Sequence, residues 1–393
     1  MLSLCIIAKD EEATLGRCLN SATGVVDEMV VLDTGSGDRT LEIAREFGAI
    51  VGEFAWNDDF AAARNAALEY VTGDWVLILD ADETLVPEIV PQLKKAIAVE
   101  DCLSINLLRR EVGAAQSPYS SVSRLFRRHE AVYFTRPYHA TIDDSIETLL
   151  QREPQWQVRQ LEGVAILHDG YQAGTIASKQ KSDRARMAMA GYLAKHPDDA
   201  YVLSKLGALY VWQGQLQGGI ELLERGLKVN RVPPILYELH YHLGIARTRQ
   251  NQRDRAKIHY QTAIAIEIPP VLKIGAYNNF GNLLEAEGNL AEAAKTYRRV
   301  LQIDPTLAIA HYNLGLTLKA MGQLREAIAA YQQAIDLDPA YAEAYQNLGV
   351  VLLKTGNAIA SRTAFQEAIA LYEQRQSPVA EQLRRGLRDL GLG

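Results

Sequence analysis

The chain has 393 residues, 48% of them hydrophobic and 23% charged. That is ordinary globular composition, with room for two or three domains that each have a core. A net charge of −7 gives no basic excess to displace counterions from phosphates, which argues against a nucleic-acid partner. Cys5, Cys18 and Cys102 lack C-x-x-C spacing, so neither a disulfide framework nor a zinc site is indicated. No stretch reaches the length of a membrane-spanning helix. Met1 opens into a strand that Lys9-Asp10-Glu11-Glu12 ends early, so no signal peptide is expected and a cytoplasmic location is.

Leu2–Ala8 reads as a first strand, followed by a polar turn and a helical pattern over Ala13–Ala22 with Leu15, Cys18, Leu19 and Ala22 on one face. Met29–Leu32 is a second strand, stopped by Asp33-Thr34-Gly35-Ser36-Gly37-Asp38; Thr40–Phe47 is helical, and Ile50–Glu53 is a third strand. Strand, acidic or glycine turn, helix, strand is the pattern of a parallel sheet with right-handed crossovers. Asp33 at a strand's carboxyl end can accept a hydrogen bond from a nucleobase or ribose, and Gly35 lets backbone come close; the plainer reading is a turn before a helix. Asp58 and Asp59 precede a helix and suit its cap. Arg64 falls among Ala61, Ala62, Ala63 and Ala66, where its fork suits a diphosphate or a carboxylate more than simple solubilisation.

Gly73–Glu83, GDWVLILDADE, is the stretch around which the first half is organised. Trp75–Leu79 reads as a buried central strand that delivers Asp80, Asp82 and Glu83 at its carboxyl end, where open α/β sheets bind ligands. Two carboxylates one residue apart repel each other unless a cation shares them. Mg²⁺ or Mn²⁺ would do so and keep positions for phosphate oxygens.

IIAKDEEATLGRCLNS, DTGSGDRT, FAWNDDFAAARN and DWVLILDADE, in this order and spacing, resemble the family 2 glycosyltransferases of GT-A fold, and most of all the bacterial subgroup with tetratricopeptide repeats after the catalytic domain. The resemblance implies a Rossmann-like nucleotide-sugar domain at the N-terminus. It implies that Ala8, Glu11 and Asp33 hold the donor's nucleoside side, that Arg64 and Asp80 support the diphosphate-ribose, and that Asp82 ligates Mn²⁺ or Mg²⁺. It also implies that a histidine near the domain's end completes the metal shell, a place His168 fits after the strand Val164–Leu167.

Cys102–Leu108, Arg124–Arg127 and Val132–Thr135 read as strands of the acceptor side. In relatives with repeats, the next segment shows a His followed by Glu, but here Ala140 follows His139. The general base is then left among Asp143, Asp144 and His139. Asp143, taken as two strand-steps beyond Thr141, is the first choice.

After a basic helix around Lys179–Lys195 the chain repeats with a period of 34: Gly281, Gly315 and Gly349; Gly288, Gly322 and Gly356; Tyr297, Tyr331 and Phe365; Pro305 and Pro339. Two looser units precede these, around Gly207-Gly214 and Gly244-Ala256-Tyr260, and Pro378–Leu390 reads as a capping helix. The pattern resembles tetratricopeptide repeats, an α-solenoid. The expected organisation is a glycosyltransferase domain over 1–175, a helical linker over 176–198, five repeats over 199–374 and a cap over 375–393. The expected activity is inverting transfer from a nucleoside-diphosphate sugar, UDP-linked, to a peptide or protein acceptor recruited by the repeats. A scaffold whose α/β domain has lost catalysis is the alternative from another class; the intact DADE and Arg64 oppose it. A nucleotidyltransferase would need a glycine-rich, basic loop after the first strand, and none is present.

Overall fold

The computed structural model describes residues 1–114, 116–169 and 179–389. The end of the expected first domain at 175, the first residues of the linker, and Leu390 of the cap lie outside the described residues. The chain divides into two compact units, one of Met1–Ala114 with Pro118–Leu209, the other formed mainly by the chain from Tyr210 onward.

In the first unit, eight strands form one sheet: β1 (Leu2–Ala8), β2 (Glu28–Asp33), β3 (Ile50–Glu53), β4 (Trp75–Ile78), β5 (Glu83–Leu85), β6 (Cys102–Glu111), β7 (Tyr119–Arg127) and β8 (Gln157–His168). Their order is β3-β2-β1-β4-β7-β6-β8-β5. The first four are parallel, β7 pairs antiparallel with β4 and β6, and β8 runs parallel to β6. Alternation along β1 feeds two cores. Leu2, Leu4, Ile6 and Ala8 pack with Leu15, Cys18, Leu19 and Ala22 of α1 (Leu15–Ala22). Cys5 lies on the other face with Val30, Leu32, Val76 and Ile78, beneath Ala61 and Ala67 of α3 (Phe60–Leu68). Burial on both faces explains why Leu4–Ala8 of β1 is a continuous apolar run and not an alternating one. It also pushes the Cys5 thiol up to about 12, so Cys5 acts as a small buried apolar group. The remaining helices here are α2 (Thr40–Glu46), α4 (Val90–Ile97), α5 (Asp143–Arg152) and α6 (Lys179–Lys195).

Two expectations need correction. Val132–Thr135 is not a strand; only a bridge between Thr135 and Thr141 forms there. Asp143 is not a strand residue but opens α5, whose Ile146 and Leu149 join the second core. The edge strand β5 was not anticipated.

The helical part runs α7 (Ala200–Trp212), α8 (Leu216–Val229), α9 (Pro233–Arg249), α10 (Arg253–Ala265), α11 (Ile274–Ala286), α12 (Leu290–Ile303), α13 (Ala308–Ala320), α14 (Leu324–Leu337), α15 (Ala342–Lys354), α16 (Ala358–Gln374) and α17 (Val379–Asp389). A Cβ at Gly281, Gly315 or Gly349 would meet the ring of Tyr297, Tyr331 or Phe365 at 3.0 Å or less. The periodic glycine and the aromatic sixteen residues on are thus one contact, repeated. Gly288, Gly322 and Gly356 turn each pair at φ of 79, 76 and 83°, and Asn251 takes the same conformation at 58° between α9 and α10. No described helix is long and apolar enough to cross a membrane.

Candidate active site

The carboxyl ends of β1 and β2 carry two loops that are hydrogen-bonded together. Ala8 pairs in register with Asp33, and its carbonyl accepts from the Thr34 N–H at 2.9 Å. Asp10 N–H donates to Ser36 Oγ at 3.0 Å, and Gly37 N–H to Asp10 Oδ1 at 2.8 Å. The Glu11 N–H donates to Thr40 Oγ1, and Thr14 Oγ1 to the Glu11 carboxylate at 2.6 Å. Asp33 is buried, and its carboxylate accepts from Gly35 N–H and from Ser36 N–H and Oγ. It therefore shapes the turn beside Ala8, with Gly35 at φ 103°.

At the end of β4 the acids lie in a network of arginines. Arg64 Nη2 bonds Asp80 Oδ1 at 2.6 Å, and Arg124 Nη2 bonds Asp80 Oδ2 at 2.7 Å. Arg124 also pairs with Glu83, whose other oxygen accepts from Arg109 Nη1 at 2.9 Å. Burial works to raise the Asp80 carboxyl, but Arg124 and Arg64 override it and hold it far below the usual range. Both Asp80 oxygens are matched by guanidinium groups, Oδ1 by Arg64 and Oδ2 by Arg124. Glu83 is fully buried and accepts the Asp80 N–H at 2.8 Å, so it fixes the turn.

Asp82 meets His168, Nε2 to Oδ2 at 3.2 Å. His168 Nδ1 meets Glu111 Oε2 at 2.5 Å. Burial lowers the His168 pKa, but Asp82 and Glu111 more than offset it and raise it to about 10. Burial likewise raises the Asp82 carboxyl, and His168 brings it below its ordinary value. Among the described residues, no group of three or more His, Cys, Asp or Glu side chains is arranged to hold a metal alone. The pair Asp82–His168 still fits a hard divalent cation. It offers an oxygen and an imidazole nitrogen at adjacent-ligand spacing, with the second ring nitrogen held by a carboxylate, and Mg²⁺ or Mn²⁺ takes its other ligands from phosphate and water.

Beyond Arg64 lies the loop 134–144. The Arg64 guanidinium sits over the Phe134 ring, 5.4 Å from its centroid. Asn65 clamps the Phe134 backbone through two hydrogen bonds, and the Phe60 N–H donates to the Pro137 carbonyl at 3.0 Å. Trp56, Phe60, Tyr138 and His139 follow one another edge to face at 4.8, 5.5 and 4.9 Å. His139 is exposed, in a left-handed conformation at φ 54°. Asp144 is taken: Arg136 Nη1 and Nη2 reach its two oxygens at 2.7 and 3.0 Å, and Thr135 donates at 2.7 Å. Asp143 is exposed and accepts from Thr141 Oγ1 at 2.7 Å.

The structure thus joins Arg64 with Asp80, and Asp82 with His168, in one region. Arg109, Glu111 and Arg124 complete that region, and the sequence reading had not singled them out. A signal for two of them was present in Arg109-x-Glu111, charges of strand period at the end of a strand.

A mixed sheet with an acid-bearing turn at the carboxyl end of its central parallel strand, followed in the chain by paired helices, defines the class: an α/β domain with helical repeats after it. Residues 3–159 match the glycosyl transferase family 2 model. Residues 281–322 and 318–356 match a TPR repeat model, and 342–375 a tetratricopeptide repeat model. A TPR repeat-containing protein of Synechococcus elongatus is 43% identical over 305 residues, covering 77% of this chain and 76% of that one. An uncharacterized glycosyltransferase of Rickettsia typhi is 28% identical, over 45% of this chain and 63% of its own. Glycosyltransferase SunS of Bacillus subtilis is 27% identical, over 46% and 42%. The chain belongs to the family 2 glycosyltransferases, in a form that carries tetratricopeptide repeats after the catalytic domain.

Proposed function

We propose that the protein is an inverting glycosyltransferase that moves a sugar from a UDP-linked donor to a hydroxyl of a peptide or protein engaged by the repeats. The observation that carries this reading is the charge arrangement after β4. Arg64 and Arg124 neutralise Asp80, while Asp82 and His168 form a separate two-donor pair. A Mg²⁺ or Mn²⁺ ion held by Asp82 and His168 would supply positive charge where the diphosphate departs.

The protein's own groups account for the rest. The turn that Asp33 braces beside Ala8 receives the nucleoside, with Glu11 at the start of the neighbouring turn. Arg64, fixed over Phe134, presents a guanidinium beside Asp80 to the ribose-diphosphate side. The acceptor enters along loop 134–144. Its oxygen attacks the anomeric carbon as the bond to the diphosphate breaks, and a base accepts the hydroxyl proton. Asp144 is engaged by Arg136 and Thr135, so we assign the base to Asp143, whose carboxylate accepts from the Thr141 hydroxyl.

The test compares nucleoside-diphosphate release from a panel of sugar nucleotides by wild type, Asp143→Asn and His139→Ala. Asp143→Asn should fall by about 10²-fold or more while donor binding stays nearly constant. A nearly silent Asp143→Asn beside an inactive His139→Ala would move the role to His139.

A further inference from the structure

The sheet register aligns three acids and bases in one row. Glu111 of β6 lies opposite His168 of β8, and His168 lies opposite Glu83 of β5. Side chains at paired positions on adjacent strands share a face, so this register brings Glu111 to the His168 ring. The Glu111 carboxylate is itself held still. Its Oε1 accepts from Arg109 Nη2 at 2.7 Å and from Ser120 Oγ at 3.2 Å. Arg109 is tied in turn to Glu83 at 2.9 Å and to Ser120 at 3.1 Å. Glu111 is 8% exposed, so water does not compete for its second oxygen, which meets His168 Nδ1 at 2.5 Å.

From this juxtaposition we infer that Glu111 is a positioning residue for the cation site: its carboxylate holds His168 Nδ1 and so fixes the ring with Nε2 turned toward Asp82. The inference rests on the cation reading above. Neither Arg109 nor Glu111 touches the cation; their effect passes through the imidazole. A ring free to rotate or change tautomer would present the wrong nitrogen for part of the time and bind more weakly.

The experiment is a Mn²⁺ titration of the full chain in the presence of UDP, with free Mn²⁺ read by electron paramagnetic resonance. Wild type, Glu111→Ala, Glu111→Gln and Asp82→Asn are compared, and thermal unfolding is recorded for each. Glu111→Ala should weaken Mn²⁺ binding by about 10–100-fold, the scale of losing an outer-shell carboxylate. Glu111→Gln keeps an oxygen for the Nδ1 proton and should retain most of the affinity. If Glu111 served only as the charge partner of Arg109, Gln and Ala would lose equally, and that result overturns the inference. So would wild-type affinity in Glu111→Ala when Asp82→Asn has lost the ion. Should wild type bind no Mn²⁺ beyond that held by UDP alone, the cation reading itself fails, which is a distinguishable result.

Discussion

Arg124 shows what single side chains do in this molecule. It joins Asp80 of the β4 turn to Glu83 of β5, and Glu83 has no exposure at all. A buried carboxylate that loses one partner is costly, so Arg124→Met should destabilise the fold by about 3–5 kcal/mol, read from urea unfolding. Wild-type stability in that variant would show that Arg109 alone satisfies Glu83. At the opposite end of the sheet, Glu28 accepts from Ser3 Oγ and from Thr72 N–H and Oγ1. Burial works to raise its pKa, but these donors prevail and lower it. The stability it contributes is therefore present above the ordinary glutamate value, about 4.3, and is lost as pH falls through the lower folded value. The urea midpoint of wild type should drop more between pH 5 and pH 3 than that of Glu28→Gln; parallel curves would refute the linkage. At this scale the sequence disclosed Arg64, Asp80 and Asp82 because each stands in a local motif. Arg109 and Glu111 left only their strand-period spacing in the sequence and Arg124 left no sign, since their partners are set by strand register across non-consecutive strands.

Among the elements, the repeat pairs were the most readable, because each contact recurs at a fixed period. Gly315 of α13 leaves room for Tyr331 of α14, and a Cβ there would lie 2.7 Å from the ring. Gly315→Ala should cost about 1–3 kcal/mol as an overpacked core contact, measured by chemical unfolding, whereas Gly191→Ala on α6, where a Cβ meets nothing within 4 Å, should not destabilise. Equal effects would contradict the packing account. The first unit was legible where local pattern and tertiary role agree, as in β1 and in α3 with its Asp59 cap accepting from the Ala62 N–H. It misled where they diverge. Thr141-Ile142-Asp143 alternates like a strand, yet Ile142, Ile146 and Leu149 are spaced to bury one helical face against the sheet. The short edge strand β5 had too few residues to carry a pattern.

On the scale of the whole chain, the boundary between halves has chemical content within the first unit. Asp199 caps α7 by accepting the Val202 N–H at 2.9 Å, and its other oxygen accepts from Arg136 Nε at 2.9 Å. Arg136, at φ 74°, also holds Asp144 in the first turn of α5. A chain truncated at His196 loses that partner and leaves a buried guanidinium half-matched, whereas one truncated at Trp212 keeps it. The shorter form should melt at the lower temperature; identical melting would show that Asp199 contributes nothing to the loop's placement. The measurement closest to the central claim is nucleoside-diphosphate release from sugar nucleotides, made with Mn²⁺ and again with EDTA, for wild type and for Asp82→Asn. Release by wild type that depends on the ion and is lost in Asp82→Asn, with the fold intact, is the predicted result. Release that proceeds equally in EDTA, or survives unchanged in Asp82→Asn, would contradict it.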